Sequence, residues 1–349
     1  MTVLTPVFPL PRLTHAQAPL TCEIDAINEY GERLQVAIPA ERALTVYVDK
    51  RELVTLMTLG AHPEWLVLGY LRNQRLVRSV HDIASITVDW DVGAAAVKTR
   101  HGIEDIEEKT SRRVVTTGCG QGSVFGGLMD EVDQLRLPAS ACITQGQLYG
   151  LVNTIRLKET TYKSAGSVHA CALFDAASSE PAMLLFVEDV GRHNAIDTIA
   201  GWMWMNMAPT LPAAREGDAP TLVASRTSLP PEGALRLRPG EAGSAAPACE
   251  DGTAAPGASP TDIGSERHVF YTTGRLTSEM VIKSAQMGVA IVVSRSGITQ
   301  MGHQVARSVG LCAIGRATNK RFVCYASPER LQMEPHLAHR PEAVATSPS

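Results

Sequence analysis

One cysteine of this chain sits inside a run of glycines, Val114-Val-Thr-Thr-Gly-Cys-Gly-Gln-Gly-Ser123, with Gly118, Gly120 and Gly122 around Cys119. Glycines let a loop adopt backbone conformations closed to other residues. Val124, Leu128 and Val132 follow at four-residue spacing, so a helix is expected just beyond. A thiol ahead of a helix N-terminus sees positive potential and unsatisfied N–H groups. Both favour the thiolate, the form that attacks sulfur or carbon. Cys119 is therefore a candidate nucleophile on an adaptable loop. A free cysteine also packs like a small hydrophobe, and the local sequence leaves the two readings open.

Four further segments could carry chemistry. Ser164-Ala-Gly-Ser-Val-His-Ala-Cys-Ala-Leu173 puts His169 in an apolar run after a small-residue turn; alone, it reads as a core histidine. The outline of a zinc-deaminase His-x-Glu is there, but Cys171 stands in place of the glutamate and no Pro-Cys-x-x-Cys follows, so zinc deamination is excluded. Glu188-Asp-Val-Gly-Arg-His-Asn194 crowds ionisable groups between a strand and a helix, where α/β folds place ligands. Helix capping by His193 or Asn194 and an Asp189–Arg192 pair would account for only some of them. In Thr272-Thr-Gly-Arg-Leu-Thr-Ser-Glu279, Gly274 permits close backbone approach, Arg275 can fork onto a phosphate, and Thr277 can cap a helix whose start attracts anions. Gly315-Arg-Ala-Thr-Asn-Lys-Arg321 brings three cations after a strand; a solvated hairpin is its plain alternative. None of these matches a dinucleotide or Walker fingerprint, so an NAD or NTP enzyme lacks motif support.

The elements that must hold these segments follow from periodicity. Residues 34–38, 44–48 and 54–59 read as strands, a helix starts near Pro63, and 86–88 with 95–98 read as a hairpin. Beyond residue 110, strands at 114–116, 168–174, 183–187, 269–271, 289–293 and 311–314 alternate with helices at 144–156, 195–205, 277–287 and 299–309. Such alternation predicts an α/β fold with helices packed on a sheet. The expected organisation is an N-terminal extension over 1–27, a small mixed β-rich domain over 28–110, an α/β core domain over 111–331, and a loose C-terminal tail over 332–349. Residues 208–265 contain no Phe, Trp or Tyr and are rich in Ala, Pro, Gly and Ser. Such a composition cannot offset its ordering entropy, and the segment is read as a disordered insertion.

The 349 residues are 44% hydrophobic, enough for two cores. With 32 basic against 36 acidic side chains and 5% aromatics, the chain offers neither the cationic field nor the stacking platforms of a general nucleic-acid binder. No apolar run is long enough to span a membrane, and the proline-broken N-terminus does not read as a secretory signal. Seven scattered cysteines without a Cys-x-x-Cys fit neither a disulfide scaffold nor a structural zinc site, and suit a reducing cytoplasm. Cys142, Cys171, Cys312 and Cys324 are expected to pack in apolar runs.

Taken in order, Gly118-Cys119-Gly120, the Gly166/His169 segment, Glu188 to Asp197, Thr273 to Lys283 and Gly310 to Tyr325 resemble the formate dehydrogenase accessory sulfurtransferase family. The resemblance implies a cytidine-deaminase-like three-layer core without zinc, plus the smaller β-rich domain. It implies a cytoplasmic sulfur carrier that takes persulfide sulfur from a cysteine desulfurase. The sulfur would pass to the molybdenum bis(molybdopterin guanine dinucleotide) cofactor of formate dehydrogenase. By position, Cys119 matches the family's persulfide cysteine. Arg316, Ala317, Thr318, Asn319, Lys320 and Arg321 match its cofactor-binding segment, and Gly274, Arg275, Arg192 and His193 are expected to add charge and backbone contacts. Glu188 and His193 are expected to orient the site. Formate dehydrogenase and the desulfurase are the implied partners, a homodimer is compatible with the resemblance, and no permanent metal is implied. Two departures stand out: the second cysteine of the family's usual Cys-x-x-Cys is absent, and Arg316 replaces an aromatic or apolar residue. The competing reading is a non-catalytic chaperone that binds the cofactor or the apo-dehydrogenase, with Cys119 structural.

Overall fold

The computed structural model describes residues 9–103, 114–115, 122–123, 135–158, 161–207 and 265–337. Cys119, the helix expected after it, the insertion over 208–264 and the tail beyond 337 lie outside the described residues.

The N-terminal unit holds a five-stranded sheet. Its strands are β1 (Arg12–Leu13), β4 (Arg42–Val48), β5 (Arg51–Thr58), β6 (Ile83–Asp89) and β7 (Ala94–Thr99), in the order β1-β6-β7-β4-β5. A separate hairpin pairs β2 (Thr21–Ile27) with β3 (Arg33–Pro39). Leu44, Val46 and Val48 of β4 are buried while the residues between them are not, the period-2 pattern of a sheet covered on one face. Helix α1 (Pro63–Asn73) covers that face, started by a proline in its first turn. The segment before residue 28 is thus more than an extension: it supplies β1 to the sheet and β2 to the hairpin. Its short apolar stretches were too broken by proline to show a period.

One short pair precedes the core, β8 (Val114–Val115) with β9 (Gly122–Ser123), and β10 (Ile143–Thr144) leads into α2 (Gln145–Lys158) and α3 (Thr161–Ala165). The core sheet then uses β11 (His169–Asp175), β12 (Ala182–Asp189), β13 (His268–Thr272), β14 (Ile291–Ser294), β15 (Cys312–Thr318) and β16 (Arg321–Ala326). Their order is β12-β11-β13-β14-β15-β16, with β13, β14 and β15 parallel and the outer pairings antiparallel. Helices α4 (Arg192–Met207), α5 (Ser278–Gln286) and α6 (Gln300–Val309) pack on one face, and α2 packs on the other. Strands covered on both faces read as continuous apolar runs, and β13 and β14 are buried throughout. Helix α6 is closed at its ends by Thr299, which accepts from Gly302 N at 3.2 Å, and by Gly310 at φ 66°.

The two units meet where α1 crosses α4. A Cβ on Gly69 would lie 1.6 Å from the Asp197 carbonyl oxygen, and one on Gly201 would lie 2.0 Å from that of Trp65. The backbones touch, so nothing larger than glycine fits at either position. Arg72 adds donors to the carbonyls of Ala200 and Gln286 at 3.1 and 3.4 Å.

The described part of the tail is docked, contrary to the expectation of a loose end. Leu331–Gln332 (β17) pairs with β10, and the Glu334 carboxylate accepts from Gly146 N at the start of α2. An acidic side chain is favoured at a helix N-terminus, and that long-range match has no local signature.

Candidate functional site

The strand pairings bring all the polar segments to one edge of the core sheet. His169 opens β11 opposite Asp189 at the end of β12, and Thr272 ends β13 beside Ser294 at the end of β14. The β15–β16 turn closes the same edge. The loops there are tied together: Ser294 Oγ donates to Gly274 O at 2.7 Å, Ser296 N donates to Ser294 Oγ at 2.9 Å, and Arg316 N donates to Ser296 O at 2.7 Å.

Some of the predicted site residues prove to build this edge rather than face a ligand. Asp189 is buried, and burial pushes its carboxyl up. Four donors oppose that: Thr58 Oγ1 at 2.5 Å, Asn194 Nδ2 at 2.9 Å, Gly191 N at 3.0 Å and Leu59 N at 3.2 Å. Thr58 and Leu59 belong to the N-terminal unit, so this carboxylate ties the two units together behind the site. Glu188 accepts from the backbone N–H groups of Thr161 and Tyr162 at 2.8 and 3.1 Å and so caps α3. Thr277 takes the N-cap position of α5, but its hydroxyl makes no cap bond.

His193 was expected at the cofactor. Instead it is 3% exposed, with Nε2 3.3 Å from the Glu279 carboxylate. Burial, then the nearby Lys283 and Arg192 charges, push its imidazole down to about 2, so the ring is neutral. Glu279 also faces Lys283 at 3.5 Å, and Lys283 pairs with Asp197 at 2.8 Å. Burial alone would pull the Lys283 ammonium down, but the Asp197 and Glu279 carboxylates outweigh it and hold it above its ordinary value. Asn73 of α1 donates to Asp197 at 2.7 Å. This network ties α1, α4 and α5 together, and His193 is buried beside it with its Nε2 making no hydrogen bond.

Three arginines act on the His169 ring. Burial, then Arg192, Arg295 and Arg275, hold its imidazole below the ordinary value. Gly274 is required because Arg192 lies against it: a Cβ there would meet the Arg192 side chain at 2.8 Å. Arg275 is exposed, and Arg295 stacks over the Tyr162 ring at 5.4 Å. Arg295 was not singled out in the sequence, where it follows a strand with no motif around it.

An open cleft of about 660 Å³ lies between α2 and the β15–β16 hairpin. Arg316, Thr318, Lys320 and Arg321 line it together with Tyr149 and Phe322, whose ring centroids are 6.2 Å apart. Gln145 donates to the Tyr149 hydroxyl at 2.7 Å. The hairpin is tight, with Thr318 paired to Arg321 and left-handed backbone at Arg316 and Asn319. Ala317 departs from the expected role, because its side chain points inward and is 1% exposed in the core. Along β15 the residues alternate, so Arg316 and Thr318 face out where Ala317 faces in. Tyr149 was missed because it lies far off in sequence on an otherwise ordinary amphipathic helix.

Cys171, in the apolar β11, is buried, and burial pushes its thiol up to about 12, as its packing role requires. Cys142 departs from the packing expectation: it is disulfide-bonded. Among the described residues no cluster of three or more His, Cys, Asp or Glu could hold a metal ion, and no helix is long and apolar enough to cross a membrane.

The core is an α/β/α layered sheet with a cation-lined, aromatic-walled cleft at one edge. The chain belongs to the FdhD/NarQ family, which it matches over residues 39–229 and 257–332. It is similar to the sulfur carrier protein FdhD of Bacillus subtilis, at 26% identity over 87% of this chain and 94% of the relative. The sulfur carrier protein FdhD of Listeria innocua is 23% identical over 86% and 93% of the two chains. Among solved structures, a protein assigned as a formate dehydrogenase accessory protein from Desulfotalea psychrophila superposes with a TM-score of 0.59. It is 18% identical, covering 90% of this chain and 100% of that one, and shows that the fold is shared.

Proposed function

We propose that this chain is a cytoplasmic sulfur carrier in formate dehydrogenase maturation, taking sulfur from a cysteine desulfurase and giving it to a molybdenum bis(molybdopterin guanine dinucleotide) acceptor. The observation that carries this reading is the cleft: three cations and two aromatic rings around one cavity suit a nucleotide with its phosphates. That is the chemistry of the acceptor's guanine dinucleotide arms, and the relatives named sulfur carrier protein supply the rest. We further infer that the core is of the cytidine-deaminase type, a reading supported by the mixed six-stranded sheet with helices on both faces.

In this reading Cys119 is the sulfur-carrying residue. Its thiolate attacks the outer sulfur of the desulfurase persulfide; a new S–S bond forms on Cys119 and the desulfurase cysteine leaves as thiolate. Arg316, Lys320 and Arg321 hold phosphate, Tyr149 and Phe322 offer ring faces to the base, and Arg192 and Arg275 extend the positive edge. Asp189 and Glu188 orient this edge through the backbone groups they bind.

Residue-resolved mass spectrometry after incubation with a cysteine desulfurase and cysteine tests the carrier role. A persulfide on Cys119 is expected. The matching Cys119→Ser variant should fold, bind the nucleotide and fail to restore formate dehydrogenase activity in cells lacking the native protein. Full activity in that variant would leave the chaperone reading in its place.

A further inference from the structure

Cys312 and Cys324 lie on the paired strands β15 and β16 with their Sγ atoms 3.9 Å apart. Cys324 stands opposite Ile314, and pairing shifts between Ala313 and Ile314. Both sulfurs face the α2 layer, where Cys312 is part of the core and Cys324 packs against it. Cys312 is fully buried, whereas Cys324 is half-buried and within reach of solvent. A thiol–thiol hydrogen bond holds Cys312 above the usual thiol range, with burial adding to it, and holds Cys324 below that range. The sulfur that ionises first is therefore the accessible one, the arrangement expected of an attacking thiolate with a resolving partner.

These two strands also carry the cleft's cations. The pairing of β15 with β16 is interrupted twice, between Ala313 and Ile314 and between Gly315 and Thr318. The hairpin bearing Arg316, Lys320 and Arg321 therefore has fewer regular ladder bonds to hold it than a continuous pair would. A covalent link at its base would restrict it.

We propose that Cys312 and Cys324 are a reversible dithiol–disulfide pair, oxidised by peroxide, whose closure stiffens the cation-bearing hairpin of the cleft. The Cys324 thiol first loses its proton to water. The thiolate then attacks one oxygen of hydrogen peroxide: an S–O bond forms, the O–O bond breaks, and the departing hydroxide takes up a proton as water. The Cys312 sulfur next attacks the sulfenic sulfur. An S–S bond forms, the S–O bond breaks, and the second oxygen leaves with the Cys312 proton as water. Two thiols and one peroxide thus give one disulfide and two waters. The sulfurs need only close from 3.9 Å to about 2.05 Å.

The test uses the full chain, treated with hydrogen peroxide and mapped by peptide mass spectrometry without reduction. A peptide pair linked through Cys312 and Cys324 is expected, with two thiols lost, reversal by dithiothreitol, and complete loss of the link in Cys324→Ser. Hydrogen exchange of the Gly315 to Phe322 amides should be slower in the oxidised wild type than in the reduced. That comparison needs no variant. Oxidation of Cys324 to sulfinic acid without a link to Cys312 would overturn the pair. Unchanged exchange in the linked protein would overturn its coupling to the hairpin.

Discussion

Charged side chains gather in two places in this molecule, under opposite conditions. Between α4 and α5, Asp197, Lys283, Glu279 and His193 are all buried, and each charge is answered within the group. On the β15–β16 hairpin, Arg316, Lys320 and Arg321 are exposed and point into an open cleft. Both groups come from dense polar motifs that look alike in sequence. The buried group acts on stability, since an ion pair removed from water must be complete to be tolerated. The exposed group costs the fold little and remains available to an anion. A polar motif therefore marks importance without saying whether it serves packing or binding.

The largest expected effect breaks the buried group. Lys283→Ala leaves Asp197 and Glu279 charged and uncompensated in the core, and should cost about 3–5 kcal/mol of unfolding free energy. Denaturant titration measures it. Lys283→Met should recover little unless Asp197 is neutralised in the same protein; full recovery by Lys283→Met alone would show that the charges do not depend on one another.

Next comes the crossing that the buried group supports. Gly201→Ala drives a methyl into the Trp65 carbonyl and should cost about 1–3 kcal/mol or more as the helices separate. Thermal unfolding of this variant alongside Gly310→Ala, which has no atom within 4 Å of its added Cβ but a φ of 66°, separates steric contact from backbone strain. The crossing variant should unfold at the lower temperature.

The exposed group should answer only to ligand. Arg321→Ala is expected to weaken guanosine diphosphate binding about tenfold with no change in thermal unfolding, as read by calorimetry. Tyr149→Ala should weaken it by a similar or smaller factor through lost base stacking, while Tyr149→Phe should bind nearly as wild type. Equal binding by Arg321→Ala would return the hairpin to a plain surface turn.

Acid gives the most selective contrast, because it reads a single ring. His193 is held neutral in the fold, at about 2, but titrates near 6.5 when unfolded. Below that pH the unfolded chain takes up a proton that the folded chain refuses, so stability falls as pH drops. The slope approaches about 1.4 kcal/mol per pH unit from this one ring. His193→Gln should flatten unfolding free energy measured between about pH 6 and 4. An unchanged slope would mean that His193 is not held neutral.

Much of the fold was legible in the residues. Alternation at Leu44, Val46 and Val48, the continuous apolar runs of β13 and β14, and the helical run over 299–309 are local consequences of burial and backbone geometry. The motif segments were legible too, because glycine, arginine and histidine at strand ends are unusual in a merely packed chain. The short strands β1 and β17 were not, because two residues carry no period and their partners are distant in sequence.

What the sequence determined by itself is therefore the periodic elements, the cation-bearing hairpin and the membership in its family. The tertiary structure alone decided which side each polar residue faces. It turned His193 and Ala317 inward, brought Tyr149 of α2 across to Phe322, and joined Thr58 of one unit to Asp189 of the other. Orientation of this kind depends on which helix covers which face and which strand lies alongside. Those contacts join residues tens to more than a hundred positions apart, and no local pattern of residue types encodes them.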